Sequence, residues 1–307
     1  MNCSGIDFIG DIHGYADELE HLLNKMGYSK RGKTWRHSNR LTFFVGDFID
    51  RGPKNVKTLN IVRHMVENGS AKAVMGNHEY NAICYNLKNE DGEYLRKHSD
   101  KNIKQHAETR QQFRGKEEEY KSYIKWFETL PLYYESDDFR VVHATWDHEK
   151  IKYLKNLTND GVLSDELIHQ SARKGSELHD SIDSVLKGKE LKLPNGYTFY
   201  DKGGHERNAI RMKWWESPDG HTYDSIAVGN IKGLPDRSVQ NGKTLNNSVY
   251  RPDERPVFFG HYWLKGNPSL YRDNICCLDY SVAKGGKLVA YRFDGEERLK
   301  DEKLVYV

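Results

Sequence analysis

Three times in the first third of the chain, an apolar run closes on a glycine and a polar turn. These are "IDFIG" before Asp11, "LTFFV" before Gly46 and Asp47, and "AKAVM" before Gly76 and Asn77. After the first turn, Leu19, Leu22, Leu23 and Met26 recur at i, i+3, i+4 and i+7 and stop at Gly27; after the second, Val56, Leu59, Val62 and Val66 lead to Gly69. That spacing belongs to helices with one apolar face, and its alternation with short apolar runs predicts βαβ units and a partly parallel sheet. "FRVVHATWD" reads as another core strand running into a loop at His143, and "PVFFGHYW", "NICCLDY", "KLVAYRF" and "KLVYV" add four strand-like segments. Residues 88–121, dense in Lys, Glu, Arg and Asp, read as solvated helices outside the core. His64, His98, His106 and His169 stand in helical, charged surroundings and read as surface residues. From about residue 151 to 256 the composition turns toward Gly, Asn and other polar residues, so we expect a cap or insertion within one domain covering 1–307.

Composition excludes several classes. A net charge of +2 demands no polyanionic partner, so neither nucleic acid nor a membrane surface is expected. No apolar run approaches the roughly 20 residues of a membrane span. "MNCSGIDFIGD" lacks the basic start and sustained apolar stretch of an export signal. Cys3, Cys84, Cys276 and Cys277 show neither disulfide-scaffold nor zinc-finger spacing, and the expected setting is a reducing cytoplasm.

Each strand-ending turn carries a residue type that binds metal: Asp11 and His13, Asp47, Asn77 and His78, His143, and His261. In open α/β sheets, loops from several strands meet at the carboxyl ends, so residues far apart in sequence converge there. Carboxylate, imidazole and amide oxygen together suit manganese, iron or zinc. A carboxylate such as Asp47 can bridge two cations; ions roughly 3.5–4 Å apart clamp a phosphoryl oxygen and lower the pKa of a bridging water. Gly10, Gly46, Gly76 and Gly260 immediately precede these turns, where a backbone needs positive φ or close approach.

In order and spacing, "GDIHG" (10–14), "GDFIDRGP" (46–53) and "GNHE" (76–79) resemble the three signature blocks of calcineurin-like metallophosphoesterases. The match is to the branch holding serine/threonine phosphoprotein phosphatases and symmetrical dinucleoside tetraphosphate hydrolases, and "VVHA" and "FFGH" resemble its two further histidine blocks. The resemblance implies an α/β (α+β) fold, a two-sheet β-sandwich flanked by helices in four αββα layers, with 151–256 as the cap. It implies Asp11, His13 and Asp47 as ligands of one divalent ion, and Asp47, Asn77, His143 and His261 as ligands of a second. Manganese is the first expectation, with iron, zinc, nickel or cobalt as alternatives. By the same resemblance His78 is the general acid, Asp50 the carboxylate that orients it, and Arg51 the phosphate-binding arginine. The implied mechanism is in-line attack by a metal-bridging hydroxide without a phosphoenzyme.

The sequence departs from the wider family at Trp263, in "GHYW", where many members carry a second histidine. It also lacks a counterpart of the C-terminal motif of eukaryotic phosphoprotein phosphatases. The main expectation is hydrolysis of phosphomonoesters, phosphoproteins among them. The alternative is an Ap4A-type dinucleoside polyphosphate or other nucleotide anhydride, and a non-catalytic scaffold is a third. Expected partners are thus a phosphorylated small molecule, a nucleotide or a phosphoprotein. Arg207 and Arg211 read either as a basic surface loop or as contacts to a second phosphate. Trp214 and Trp215 read either as an anchor for the insertion or as a platform for a nucleobase.

Overall fold

A computed structural model of the chain describes residues 4–200, 204, 206–229, 231–239 and 249–307. Its first sheet is built around the strand Gly5–Ile9, which runs parallel to Arg40–Phe44 on one side and antiparallel to Lys287–Phe293 on the other. Ala71–Ala73 extends it, parallel to Arg40–Phe44; Asp279–Tyr280 and Leu304–Tyr306 both pair with Lys287–Phe293. In the second sheet Val257–Phe259 lies parallel to both Arg140–Val142 and Ile275–Cys277, and Tyr133–Glu135 forms an antiparallel edge.

Period-two alternation sorts each strand onto two buried faces, which is why the sequence shows near-continuous apolar runs rather than alternating ones. Phe8, Phe43, Val289, Tyr291 and Phe293 of the first sheet meet Val141, Phe258 and Cys276 of the second in one core. Phe8 and Phe258 stack with ring centroids 3.7 Å apart. The alternate residues, Ile9, Phe44, Ala290, Val142 and Phe259, belong to a second core together with the apolar faces of Ala16–Lys25 and Asn55–Glu67. Two sheets face to face with helices outside give the expected mixed α/β sandwich.

Two elements lie beyond the sequence reading. Tyr133–Glu135 is a strand of three residues, and the hairpin Ser29–Arg31/Thr34–Arg36 is too polar to stand out as one. The helices Asp100–Gln112 and Glu117–Phe127 form where charge density suggested them, but they are not simply solvated: His106, Thr109, Tyr123, Ile124 and Phe127 are buried. His106 is therefore not a surface residue, because its face of the helix packs toward Asp50. Within 151–256, the helices His148–Leu157 and Glu177–Lys187 place Ile151, Leu154, Ile182 and Val185 in the main core. A small separate core follows, formed by Leu191, Leu193, Ile210, Met212, Tyr223 and Ile226. Trp214 and Trp215 are buried beside it, edge-on to each other and against Phe259. Part of the "FYDKGGHERNAIRMKWW" run, and Cys3, lie outside the described residues. Cys84, Cys276 and Cys277 are free and buried.

Phe258→Ala would empty the centre of the inter-sheet core. We expect a loss of about 3–5 kcal/mol of unfolding free energy in urea; a loss below about 1 kcal/mol would contradict this packing.

Candidate metal centre

The carboxyl ends of the strands Gly5–Ile9, Arg40–Phe44, Ala71–Ala73, Arg140–Val142 and Val257–Phe259 release the turns that carry the expected ligands. Backbone hydrogen bonds tie these turns to one another. Ile12 and His13 N–H both donate to Asp47 O, Gly52 N–H donates to His13 O, and Gly260 N–H donates to His143 O, all within 2.9–3.0 Å. Among the described residues eight non-glycines have positive φ, and six of them are here: His13, Asp47, Asp50, Arg51, His261 and Trp263. Such conformations concentrate where a site over-determines its backbone.

Close approach, more than φ, explains the glycines. A Cβ on Gly260 would overlap Asp11 Oδ1, and one on Gly76 would overlap Asp47 N and Oδ1. Gly46 is the one of the four predicted glycines with positive φ, at 102°.

Asp47 is the hub. Its Oδ1 accepts the His78 backbone N–H at 2.9 Å, while Oδ2 lies 3.4 Å from His143 Nε2, 3.6 Å from His13 Nε2 and 3.9 Å from His78 Nε2. Burial alone would raise the Asp47 pKa, but the surrounding imidazoles, His143 foremost, hold it well below the usual carboxylate range. His143 donates Nδ1–H to Val45 O at 2.9 Å, and His13 donates Nδ1–H to Ile49 O at 2.9 Å, so both present Nε2 to Asp47. Asn77 Oδ1 lies 2.8 Å from His261 Nδ1 and 3.2 Å from His143 Nε2. Two groups of converging ligand atoms result, His13–Asp47–His78 and Asp47–His143–His261, sharing Asp47. Asp11 joins through its neighbour: Oδ2 accepts the His261 backbone N–H at 3.0 Å.

The donor set fits cations. Asp11 Oδ1, His13 Nε2 and His261 Nε2 are three of the nine buried side-chain polar atoms among the described residues that have no hydrogen-bond partner, and these three converge on one centre. Burial, with the charges of Asp279 and Asp47, pushes the Asp11 pKa well up, and burial with Asp47 pushes Glu79 up to about 7. Crowded carboxylates of this kind are what a bound cation relieves. Burial and the His78 charge push His13 down to about 3, and burial with the Arg211 and His143 charges pushes His261 well down, so both imidazoles are neutral, the form that ligates.

His78 has a different environment. Its Nδ1 is 2.5 Å from Asp50 Oδ2, and although burial would lower its pKa, Asp47 and Asp50 raise it. The structure thus brings an imidazole whose pKa two carboxylates raise to the edge of the ligand cluster. Arg51 is exposed and lays its guanidinium 4.5 Å from the Trp263 ring centroid. That ring also stacks on His13 at 5.4 Å and carries the Lys284 ammonium at 4.1 Å. Trp263 thus forms an aromatic wall between His13 and Arg51. Arg211 ends the half-buried strand Ala209–Arg211, and its charge is felt at His261. Arg207 is exposed on the neighbouring Glu206–Arg207 pair, and its charge is felt at Arg211. Trp214 and Trp215 are only 1% exposed, so they anchor and offer no face to a base.

Sequence reasoning missed three supporting groups. Glu79 accepts the backbone N–H groups of Asp47, Phe48 and Gly76 within 2.8–3.0 Å, clamping the second turn to the third. Asp279 accepts the N–H groups of Trp263 and Ser281. His106 lies 2.7 Å from Asp50 Oδ1. Glu79 stands inside "GNHE" and was legible there as a polar residue beside a ligand; the other two carry no local signal.

The model of the calcineurin-like phosphoesterase family matches residues 5–262. Over 305 residues the chain is 31% identical to the symmetrical bis(5'-nucleosyl)-tetraphosphatase of Vibrio parahaemolyticus, covering 96% of this chain and 98% of that one. It is 36% identical over 143 residues to the asymmetrical bis(5'-nucleosyl)-tetraphosphatase PrpE of Oceanobacillus iheyensis, covering 45% of this chain and 54% of that one. The fold also matches a protein serine/threonine phosphatase from Saccharomyces cerevisiae, with TM-score 0.52 and 15% identity over all of this chain and 79% of that one. The chain belongs to the calcineurin-like phosphoesterase family. That family is dimetal-dependent, and here His13 on one side and His143 with His261 on the other converge on a single carboxylate, Asp47.

Gly260→Ala should force Asp11 away from the cluster. We expect Mn²⁺ affinity, measured by titration calorimetry, to fall at least about tenfold, the scale seen when supporting groups of metal sites are altered. Unchanged affinity would show that the Asp11–Gly260 contact does not shape the site.

Proposed function

We propose that this protein hydrolyses the phosphoanhydride of dinucleoside polyphosphates, in the manner named for its full-length Vibrio relative. The observation that carries the reading is similarity over 96% of the chain to a symmetrical bis(5'-nucleosyl)-tetraphosphatase. The likeness to a phosphoprotein phosphatase reaches the fold alone. Phosphomonoesters, the first expectation from the sequence, therefore give way to the alternative.

Asp11, His13 and Asp47 would hold one divalent ion, and Asp47, Asn77, His143 and His261 the other, manganese being our choice for a mixed carboxylate, imidazole and amide set. Bound there, the pair supplies Lewis acidity toward phosphate oxygens and lowers the pKa of water. The chain's own groups do the rest. His78, its pKa raised by Asp47 and Asp50, gives its Nε2 proton to the departing oxygen. Asp50 fixes the tautomer by holding Nδ1. Arg51, aligned by the Trp263 ring, offers two N–H groups to a phosphate. An anhydride substrate also brings distal phosphates, and Arg211, placed where its charge reaches His261, is our candidate for them, with Arg207 behind it. The small core around Leu191 and Ile210 that carries Arg211 would then act as the cap.

Among the described residues no helix is long and apolar enough to cross a membrane. Buried, unbridged Cys84, Cys276 and Cys277 fit a reducing compartment, and we place the activity in the cytoplasm.

Mn²⁺-loaded protein offered diadenosine tetraphosphate and a phosphoserine peptide side by side should prefer the dinucleotide in kcat/KM by about 100-fold or more, the value of one or two charge-assisted contacts. Preference for the peptide would return the protein to the phosphomonoesterase reading. Arg211→Ala should raise KM for the dinucleotide about tenfold and leave the peptide rate alone. His78→Ala should lower kcat by about 10²–10⁴ with metal content intact; indifference of the rate to this change would mean that His78 is not the acid.

A further inference from the structure

The carboxylate of Asp50 is held at both oxygens. Oδ2 faces His78 Nδ1 at 2.5 Å; Oδ1 accepts the Thr109 hydroxyl at 2.7 Å and lies 2.7 Å from His106 Nδ1. Thr109 Oγ1 in turn accepts the Asp50 backbone N–H at 3.0 Å, at a residue with φ of 69°. His106 and Thr109 are three residues apart on Asp100–Gln112, hence on one face of that helix, and both end on this one carboxylate. An ionised carboxylate only accepts, so both imidazole Nδ1 atoms donate to it. The far side of His106 completes the chain. Nε2 is 2.6 Å from the Tyr120 hydroxyl, and that oxygen accepts Asn86 Nδ2–H at 2.8 Å. In the Nδ1–H tautomer of His106, Nε2 accepts, so the Tyr120 hydroxyl donates to it. The directions are then consistent throughout: Asn86 to Tyr120, Tyr120 to His106, His106 to Asp50, with His78 donating from the opposite side.

We propose that His106 is a positioning residue for proton donation, locking the Asp50 carboxylate so that Oδ2 stays on His78 Nδ1 and His78 Nε2 stays aimed into the centre. The proposal rests on the reading of His78 as the acid. In that step water forms the new P–O bond and gives up a proton to solvent. The old P–O bond breaks with its electron pair on the leaving oxygen, which takes the proton from His78 Nε2. His106 exchanges nothing. Its removal frees the Asp50 carboxylate to rotate and lets His78 drift, at a cost set by how much the leaving oxygen needs its proton.

Leaving-group dependence separates this from a merely structural role. Phenyl phosphate needs the proton, whereas 2,4-dinitrophenyl phosphate departs without it. His106→Leu should lower kcat about 30-fold on the first and less than about threefold on the second, with KM and Mn²⁺ content unchanged. His106→Asn, whose amide Nδ2 stands near the lost Nδ1, should restore the phenyl phosphate rate to within about threefold of the parent. Tyr120→Phe, which removes only a hydroxyl, should show the same dependence at about fivefold and serves if His106→Leu does not fold. Independently of turnover, the far-downfield proton of the His78–Asp50 hydrogen bond in ¹⁵N-histidine-labelled, metal-free protein should be lost in His106→Leu and kept in His106→Asn. Equal losses on both substrates, loss of metal, or an undisturbed proton signal would overturn the assignment. Should the parent protein, loaded with Mn²⁺, turn over neither aryl phosphates nor diadenosine tetraphosphate, the hydrolase reading itself fails.

Discussion

Everything at the centre depends on keeping the Asp47 carboxylate ionised where water scarcely reaches it. The residue is 2% exposed and sits at φ 53°, a backbone state a non-glycine residue rarely adopts. Taking a carboxylate out of water costs several kcal/mol unless partners replace the solvent. Here three imidazoles surround Oδ2 and a helical N–H meets Oδ1. Glu79 holds the turn itself, accepting the N–H groups of Asp47 and Phe48 while closing back on Gly76. The inter-sheet core has a clear role in this light: rings such as Phe8, Phe43 and Phe258 fix the strands whose ends must meet to within tenths of an ångström.

The centre is asymmetric in a way that separates tasks. On one side neutral His13 and His261 offer bare nitrogens, and Asp11 lies crowded against other carboxylates. On the other, Asp47 and Asp50 raise the pKa of His78, as Asp47 raises that of His143. Groups whose environments push their pKa values apart are how one site combines binding with proton transfer. Trp263 lies across the boundary, with one ring in contact with His13, Arg51 and Lys284. The indole offers a cation-binding surface, and this fixes Arg51 without consuming its hydrogen bonds.

Much of this was readable in the chain. Asp11, His13, Asp47, Asn77, His143 and His261 are found through turns that follow apolar runs, because parallel strands send their outgoing turns to one edge. Gly76 and Gly260 were legible as crowded positions, although what crowds them, the carboxylates of Asp47 and Asp11, is visible only in three dimensions. His106 was not legible. It stands in a charge-dense helix whose composition describes its solvent face, and a single buried residue does not alter that pattern. Asp279 was hidden for a similar reason, since its task of receiving two backbone N–H groups requires no neighbouring motif. The 151–256 span read as one compositional block but packs as two, because helices such as Glu177–Lys187 keep an apolar face that overall polarity conceals.

If five strand ends build one centre in which two cations share Asp47, anomalous diffraction from crystals of the protein grown with Mn²⁺ will show it. Two manganese peaks roughly 3.5–4 Å apart are expected, one beside His13 and the other beside Asn77, His143 and His261, with Asp47 between them. A single peak, or two that do not share Asp47, would contradict it.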